Sequence, residues 1–291
     1  MRVLLTGGSG QLGTELVAAF SSHEVVAPDR RVLDLASRDS VLQSVTSAVP
    51  DVVVHAGAWA DVDGCERDPD RALQVNALGT RHVAEAARIV GARVVYVSTD
   101  YVFAGDANRP YTEWDAPGPL SAYGRSKLGG EHELGPDATI VRTAWVCGRA
   151  GRNFVKTMLS AAAPAPPQGL AVVDDQHGCP TFADDLAAAI VRLTVARLPG
   201  TFHVTNQGRT TWFGFARDIL AAAGLDPALV RPIATADLRP ARPAPRPAWA
   251  VLDNAALRLS GLPLLPHYRQ SLERLVASLL ERRAAAAHRA P

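Results

Sequence analysis

Tyr123 and Lys127 stand four residues apart in the run YGRSK, and Ser98-Thr99-Asp100 closes an apolar segment 24 residues before the tyrosine. On a helix that spacing puts the phenol and the ammonium on one face, one turn apart. A cation beside a phenol favours the phenolate and brings its titration toward neutral pH, so such a tyrosine can move a proton. Thr99 offers a hydroxyl to the same oxygen. A Tyr-x-x-x-Lys pair alone occurs on many helix faces by chance. What distinguishes this one is the threonine at a strand end upstream and a glycine-rich turn near residue 10.

Residues 2–6 read as a buried strand and residues 14–20 show helical spacing of apolar side chains, with Gly7, Gly10 and Gly13 between them. Strand, glycine turn and helix in that order form the setting of a dinucleotide fingerprint, here spaced G-x-x-G-x-x-G. Glycines there let backbone N–H groups approach a pyrophosphate at a helix N-terminus. The plainer alternative is an ordinary glycine loop. A second strand at residues 25–27 leads into Asp29 and Arg30. An acid at this place accepts from a ribose 2′-hydroxyl and favours NADH, whereas arginine suits the 2′-phosphate of NADPH. Both are present, so the sequence leaves both cofactors open. Asp34 and Leu35 are placed to flank an adenine. After a third strand at residues 51–55, Ala56-Gly57-Ala58 admits a flat ligand against the backbone, or simply packs tightly.

The elements that must hold these residues alternate. A helix is expected from Asp68-Pro69 to Val90, with aspartate as cap and proline in the first turn; Asn76 inside it reads as a structural bridge. Strands are expected at 93–97 and 139–146, a helix from Asn153 that breaks at 164–167, and a strand at 170–173. Helices at 182–196 and 211–223 follow, with a strand at 201–204 between them and a last amphipathic helix around 272–280. Residues 231–247 read as a solvated proline- and arginine-rich stretch. This pattern predicts an α/β fold: a doubly wound parallel Rossmann sheet over residues 1–146, and a smaller C-terminal substrate-binding lobe over 147–291 with segments returning to the first domain. Residues 282–291 have nothing to bury and are expected to form a disordered tail. On such a sheet the crevice lies at the carboxyl ends of the strands. The glycine turn, Asp29, residues 56–58, Thr99-Asp100 and Trp145 all follow strands and would line it.

Composition narrows the function classes. Net charge is +1 with no block of like charges, which argues against a nucleic-acid partner. The three cysteines are scattered with no C-x-x-C spacing, which reads as reduced thiols rather than zinc ligands or a disulfide framework. The first residues enter a strand directly, so no signal peptide is expected, and no apolar run approaches the ~20 residues of a membrane span. A cytoplasmic protein is expected, as a monomer or homodimer. Among 30 basic residues only Lys127 and Lys156 are lysines. Against so strong an arginine bias, a surviving lysine marks a place where a guanidinium does not serve, with more weight on Lys127.

The stretches LLTGGSGQLG, DVVVHAGAWADVD, VSTDYVF, YGRSKLGGE, RTAWV, NFVKTM and DDQHGCPT together resemble the extended short-chain dehydrogenases/reductases, and within them the branch that reduces dTDP-4-dehydro sugars. The resemblance implies reduction of the 4-keto group of dTDP-4-dehydro-L-rhamnose to dTDP-L-rhamnose by NADPH or NADH, with Tyr123 as proton donor, Lys127 on the nicotinamide ribose and Thr99 on the carbonyl oxygen. It implies cofactor contacts from Gly10-Gln11-Leu12, Asp29, Asp34-Leu35, residues 56–58, Tyr123 and Lys127, and sugar contacts from Thr99, Asp100 and Trp145. Asn153, Lys156 and Arg246 are further substrate candidates, Arg246 toward the diphosphate. The run His55-Ala56-Gly57-Ala58 departs from an expected asparagine and three alanines. Some members place magnesium between acidic residues at a dimer interface; Glu15 and Asp184 are candidates here, without a third ligand, so metal binding stays open. Asp100 is followed by Tyr101 where a 4,6-dehydratase would carry a second carboxylate, which argues against dehydration. An epimerase, a reductase of another dTDP-4-keto-deoxysugar (antibiotic sugar or dihydrostreptose type) and a non-catalytic nucleotide-binding regulatory subunit remain alternatives.

Overall fold

The computed structural model describes residues 1–163 and 168–287. In its first half, strand and helix alternate as the apolar pattern demands. β1 (Arg2–Thr6) runs through the glycine turn into α1 (Gln11–Ala19), and β2 (Glu24–Val26) precedes α2 (Arg38–Ala48). Ser37 caps α2 by accepting from the Ser40 amide. After β3 (Val52–His55) come α3 (Val62–Arg67), α4 (Pro69–Leu73) and α5 (Gly79–Val90). Asp68 caps α4 and Pro69 opens it, but one π turn over Gln74–Leu78 bulges the path into α5. The bulge buries Asn76, whose side chain bonds both the N–H and the C=O of Trp59 and donates to the Ser126 hydroxyl. β4 (Arg93–Thr99), α6 (Ala122–His132) and β5 (Thr139–Thr143) complete this half.

The second half is less regular. β6 (Val146–Cys147), α7 (Phe154–Ala161), β7 (Leu170–Val173), β8 (His177–Gly178) and β9 (Thr181–Phe182) precede α8 (Ala183–Ala196). β10 (Gly200–His203), β11 (Thr210–Thr211), α9 (Trp212–Ala222), β12 (Val230–Ile233), α10 (Ala255–Leu259) and α11 (Tyr268–Ala287) follow. The main sheet has the order β10-β5-β4-β3-β1-β2, parallel throughout. Chain order reverses beside β1, which opens the ligand crevice at the carboxyl ends of β1 and β3.

Two hydrophobic clusters sandwich this sheet. Val3 and Leu5 of β1 face Leu16, Leu186 and Ile190 of α1 and α8, while Leu4 faces Val41, Val45 and Val83 of α2 and α5. That alternation is the pleat of a strand buried on both sides. So α8 and β10 return to the first half of the chain. A separate cluster joins α7, α9 and α11 through Val155, Leu159, Phe215, Ile219, Leu272 and Val276.

The structure departs from the sequence reading in three places. The fifth strand stops at Thr143, its last pairing with β4; Trp145 turns with φ +46°, and Val146–Cys147 pairs with β9 instead. Residues 231–247 are not a solvated stretch throughout, because β12 pairs with β7 and the Arg246 side chain is only 8% exposed. α11 continues to Ala287, past the expected start of a tail at 282. Alanine and arginine are strong helix formers, which favours continuation of the helix there. The expected break at 164–167 and the last residues, 288–291, lie outside the described residues.

Candidate active site

At the carboxyl end of β1 the glycine turn does what its spacing predicts. Gly7 takes φ +74°, and a Cβ there would meet the Gly57 backbone at 2.8 Å. A Cβ on Gly13 would meet the Gly7 carbonyl oxygen at 2.0 Å. The turn, α1 and the segment after β3 therefore touch backbone to backbone. At Gly57 itself a Cβ would come 3.0 Å from the Thr6 hydroxyl and 3.3 Å from the Gly7 nitrogen, a tight fit that leaves little room beside the turn. His55 completes the join: its Nδ1 lies 2.7 Å from the Thr6 hydroxyl and its Nε2 3.2 Å from that of Thr80.

A groove of about 260 Å³ opens on this turn, lined by Gly7, Gly10, Arg30, Asp34, Leu35 and residues 56–58, together with Trp59, Arg71 and Val75. No side chain caps the α1 N-terminus and no acid occupies its first turn, so the helix end is available to an anion. Both features fit a dinucleotide. Asp29 and Arg30 part company here. Asp29 accepts from the Arg31 amide at 2.8 Å and its guanidinium at 3.0 Å, whereas Arg30 lines the groove. Leu12 packs into the core, and Gln11 accepts from Asn153 at 2.9 Å.

Ser121 caps α6 by accepting from Gly124 N–H at 3.1 Å. A Cβ on Gly124 would stand 2.2 Å from the Tyr101 carbonyl oxygen, and one on Gly130 2.4 Å from the Tyr96 hydroxyl. The glycines of YGRSKLGGE thus let α6 lie directly on β4 and the turn after it, which brings Tyr123 over Thr99. Thr99 donates to Asp100 at 2.9 Å and accepts from the Tyr101 amide at 3.2 Å. The Tyr101 and Tyr123 rings meet edge to face at 5.6 Å.

The electrostatics differ from the sequence expectation. Burial pushes the Tyr123 phenol well above the ordinary tyrosine range, with the Thr99 hydroxyl counteracting part of the shift. Lys127 does not govern it. The lysine is 2% exposed, donates to the Val97 carbonyl at 2.8 Å and lies 4.0 Å from the Tyr96 ring centre. Desolvation pulls this ammonium down to about 7, with Glu131 holding it up. Burial likewise raises Asp100 to about 7, and its Oδ2 has no partner among the described residues. Lost hydration outweighs the phenol–ammonium attraction because Lys127 and Asp100 are enclosed and Tyr123 is half-buried against them.

Trp145 stacks on Trp212 at 3.6 Å and 9°, and a Cβ on Gly178 would fall 2.5 Å from its indole. Trp212, Phe154 and Gly178 are neighbours the motifs did not reveal, although TWFGF is an aromatic run. Asn153 caps α7 and donates to Gly148. Lys156 donates to the carbonyls of Arg149 and Gly151. Arg246 is buried, both terminal nitrogens on Asp63, the second at 2.8 Å. Asp63 lies within the DVVVHAGAWADVD stretch, so its partner was the missing information.

Glu15 and Asp184, the acidic candidates for magnesium, line a separate cavity of about 170 Å³ with Arg149 and Arg274. Arg149 takes both Glu15 oxygens at 3.0 and 2.7 Å, and Arg274 stands 3.6 Å from Asp184. Two guanidinium groups among the donors repel a divalent ion, and among the described residues no three acidic, histidine or cysteine side chains converge. Within one chain this donor set does not hold magnesium.

Residues 1–281 match the family profile described as RmlD substrate binding domain. The chain is 43% identical to the dTDP-4-dehydrorhamnose reductase of Streptomyces griseus, covering 93% of this chain and 91% of that protein. It is 40% identical to the probable dTDP-4,6-dihydroxy-2-methyloxan-3-one 4-ketoreductase of Streptomyces antibioticus, covering 96% of both. Among solved structures, the dTDP-4-dehydrorhamnose reductase of Bacillus anthracis in complex with NADP superposes with a TM-score of 0.90 at 37% identity, covering 95% of this chain and 99% of that one.

Proposed function

The chain belongs to the RmlD substrate binding domain family, and from that premise we propose that it reduces the 4-keto group of dTDP-4-dehydro-L-rhamnose to dTDP-L-rhamnose with NADPH. The observation that carries this reading is the Thr99–Tyr123 pair, whose hydroxyls hydrogen-bond, with one carboxylate at Asp100 and an aromatic ring at Tyr101 where a dehydratase needs a second acid. The bound nicotinamide supplies the hydride. The residues supply the rest.

The turn Gly7–Gly13 and the α1 N-terminus hold the pyrophosphate, residues 34–35 and 56–58 flank the adenosine, and Lys127 serves the nicotinamide ribose. Tyr123 gives its proton to the carbonyl oxygen, and burial keeps that proton on the phenol until a stronger base arrives. Thr99 fixes the same oxygen. Asp100 contacts the sugar, and Trp145 offers an apolar face to the 6-methyl group. Residues 147–291 supply mainly the substrate lobe, with Asn153 and Arg246 nearby. A cytoplasmic site of action suits three buried free thiols. Among the described residues no helix is long and apolar enough to cross a membrane.

The direct test is substrate-dependent loss of NADPH absorbance with dTDP-4-dehydro-L-rhamnose. Saturable turnover is expected; none would sink the reading. Similarity to the Streptomyces antibioticus ketoreductase favours a second reading, another dTDP-4-keto-deoxysugar. A kcat/KM at least tenfold higher for such a sugar would select it.

Arg30 decides the cofactor in this account, since Asp29 is engaged by Arg31. A charge-assisted contact to a phosphate is worth roughly 1.5–3 kcal/mol. Arg30→Ala is therefore expected to raise KM for NADPH roughly tenfold or more, leaving that for NADH within about twofold. An equal rise for both would remove Arg30 from the 2′-phosphate.

A further inference from the structure

Tyr123, Lys127 and Glu131 fall at i, i+4 and i+8 on α6 and share a face. The Glu131 side chain is only 4% exposed. It accepts from the Ser98 hydroxyl at 2.5 Å and from two Arg142 nitrogens at 2.9 and 2.6 Å. Ser98 and Arg142 are register partners on β4 and β5, and Ser98 directly precedes Thr99. One carboxylate thus ties the helix carrying Tyr123 and Lys127 to the strand end carrying Thr99.

The charged neighbourhood of Lys127 is sparse. β4 presents the Tyr96 ring and the Val97 carbonyl. β3 presents His55, which burial keeps neutral. Arg142 on β5 is itself paired to Glu131. Among the described residues only Glu131 offers Lys127 a negative field. A buried ammonium without such a field gives up its proton.

We propose that Glu131 is a positioning residue for the reduction: through Ser98 it sets Thr99 against Tyr123, and through its charge it keeps Lys127 an ammonium. The proposal rests on the reductase reading, but its first readout does not.

Because Lys127 and Lys156 are the only lysines in the chain, ¹³C-lysine labelling gives two ε-carbon signals, assigned with Lys156→Arg. In the wild type the Lys127 signal is expected to titrate near 7. Glu131→Gln is expected to move that midpoint acidward by about one pH unit, and the falling limb of kcat with it. Ser98→Ala keeps the carboxylate, so it is expected to leave the midpoint in place while lowering kcat roughly tenfold through misplacement of Thr99. The double variant Glu131→Gln/Arg142→Gln leaves no orphaned guanidinium and carries a smaller shift in the same direction if the single variant does not fold. A Lys127 midpoint that does not move in either folded variant overturns the proposal, as does Ser98→Ala with wild-type kcat. If wild type lacks keto-sugar turnover but Lys127 shifts, the reductase reading fails and the link between Glu131 and Lys127 stands.

Discussion

Replacing Tyr123 by phenylalanine is expected to lower turnover of the 4-keto sugar by ~10²–10⁴-fold, the usual contribution of a positioned proton donor. NADPH binding is expected to stay within about threefold, because the cofactor groove is built from the glycine turn, Arg30 and residues 34–35 and 56–58 rather than from the phenol. The substitution removes one oxygen and keeps the ring. That ring packs with Cys65, Ala72 and Ala122 and meets Tyr101 edge to face, so the fold is expected to hold. Burial drives the phenol's titration upward, so the group stays protonated across the neutral range. That is the state a donor needs in the reductive direction. Stopped-flow NADPH oxidation and cofactor fluorescence titration separate the two effects. A variant retaining a tenth or more of wild-type kcat would assign the proton to another group, Asp100 first.

His55 carries the second large effect, on stability. Fully enclosed between Thr6 and Thr80, its ring is held down to about 3 by lost hydration and by Lys127. In the unfolded chain a histidine titrates near 6.5. Between those values the unfolded state binds a proton that the native state refuses, so stability falls as pH falls below about 6.5. One such group costs about 1.4 kcal/mol per pH unit. His203, also lowered to about 3, adds in the same sense; Asp100, raised to about 7, opposes over the same range. The total slope mixes these groups, whereas a His55→Asn comparison isolates one. An asparagine keeps a donor and an acceptor and does not titrate. From pH 6.5 to 4.5 the wild type is expected to lose roughly 2 kcal/mol more than His55→Asn, because the unfolded histidine is already half protonated at the upper pH, read from urea midpoints at each pH. Parallel pH profiles would mean that His55 takes up a proton in the native state.

Much of the fold was legible because its signals are local. Alternating apolar strands, the cap at Ser37 and the Asp68-Pro69 start are set by residues within a turn or two of one another. The strand that follows residue 138 read too long because nothing in RTAWV announces that its β4 partner ends at Thr99. The position of Lys127 was legible in the same way, but its hydrogen-bond partner was not. Helical spacing placed it one turn from Tyr123, but its amine turned to Val97, because a strand carbonyl was the acceptor the fold brought closest.

The sequence by itself determined a parallel α/β sheet, a dinucleotide turn, and the residue types of a carbonyl reductase on one strand end and one helix face. Those follow from backbone sterics and short-range periodicity. Tertiary structure decided which of Asp29 and Arg30 faces the groove, that Arg149 and Arg274 fill the place considered for a metal, and that Arg246 is spent on Asp63. It also decided the charge on the closing stretch YGRSKLGGE. Titration there depends on how much water is excluded and on partners such as Ser98 and Arg142, far from α6 in the chain and adjacent to it only once β4 and β5 have paired.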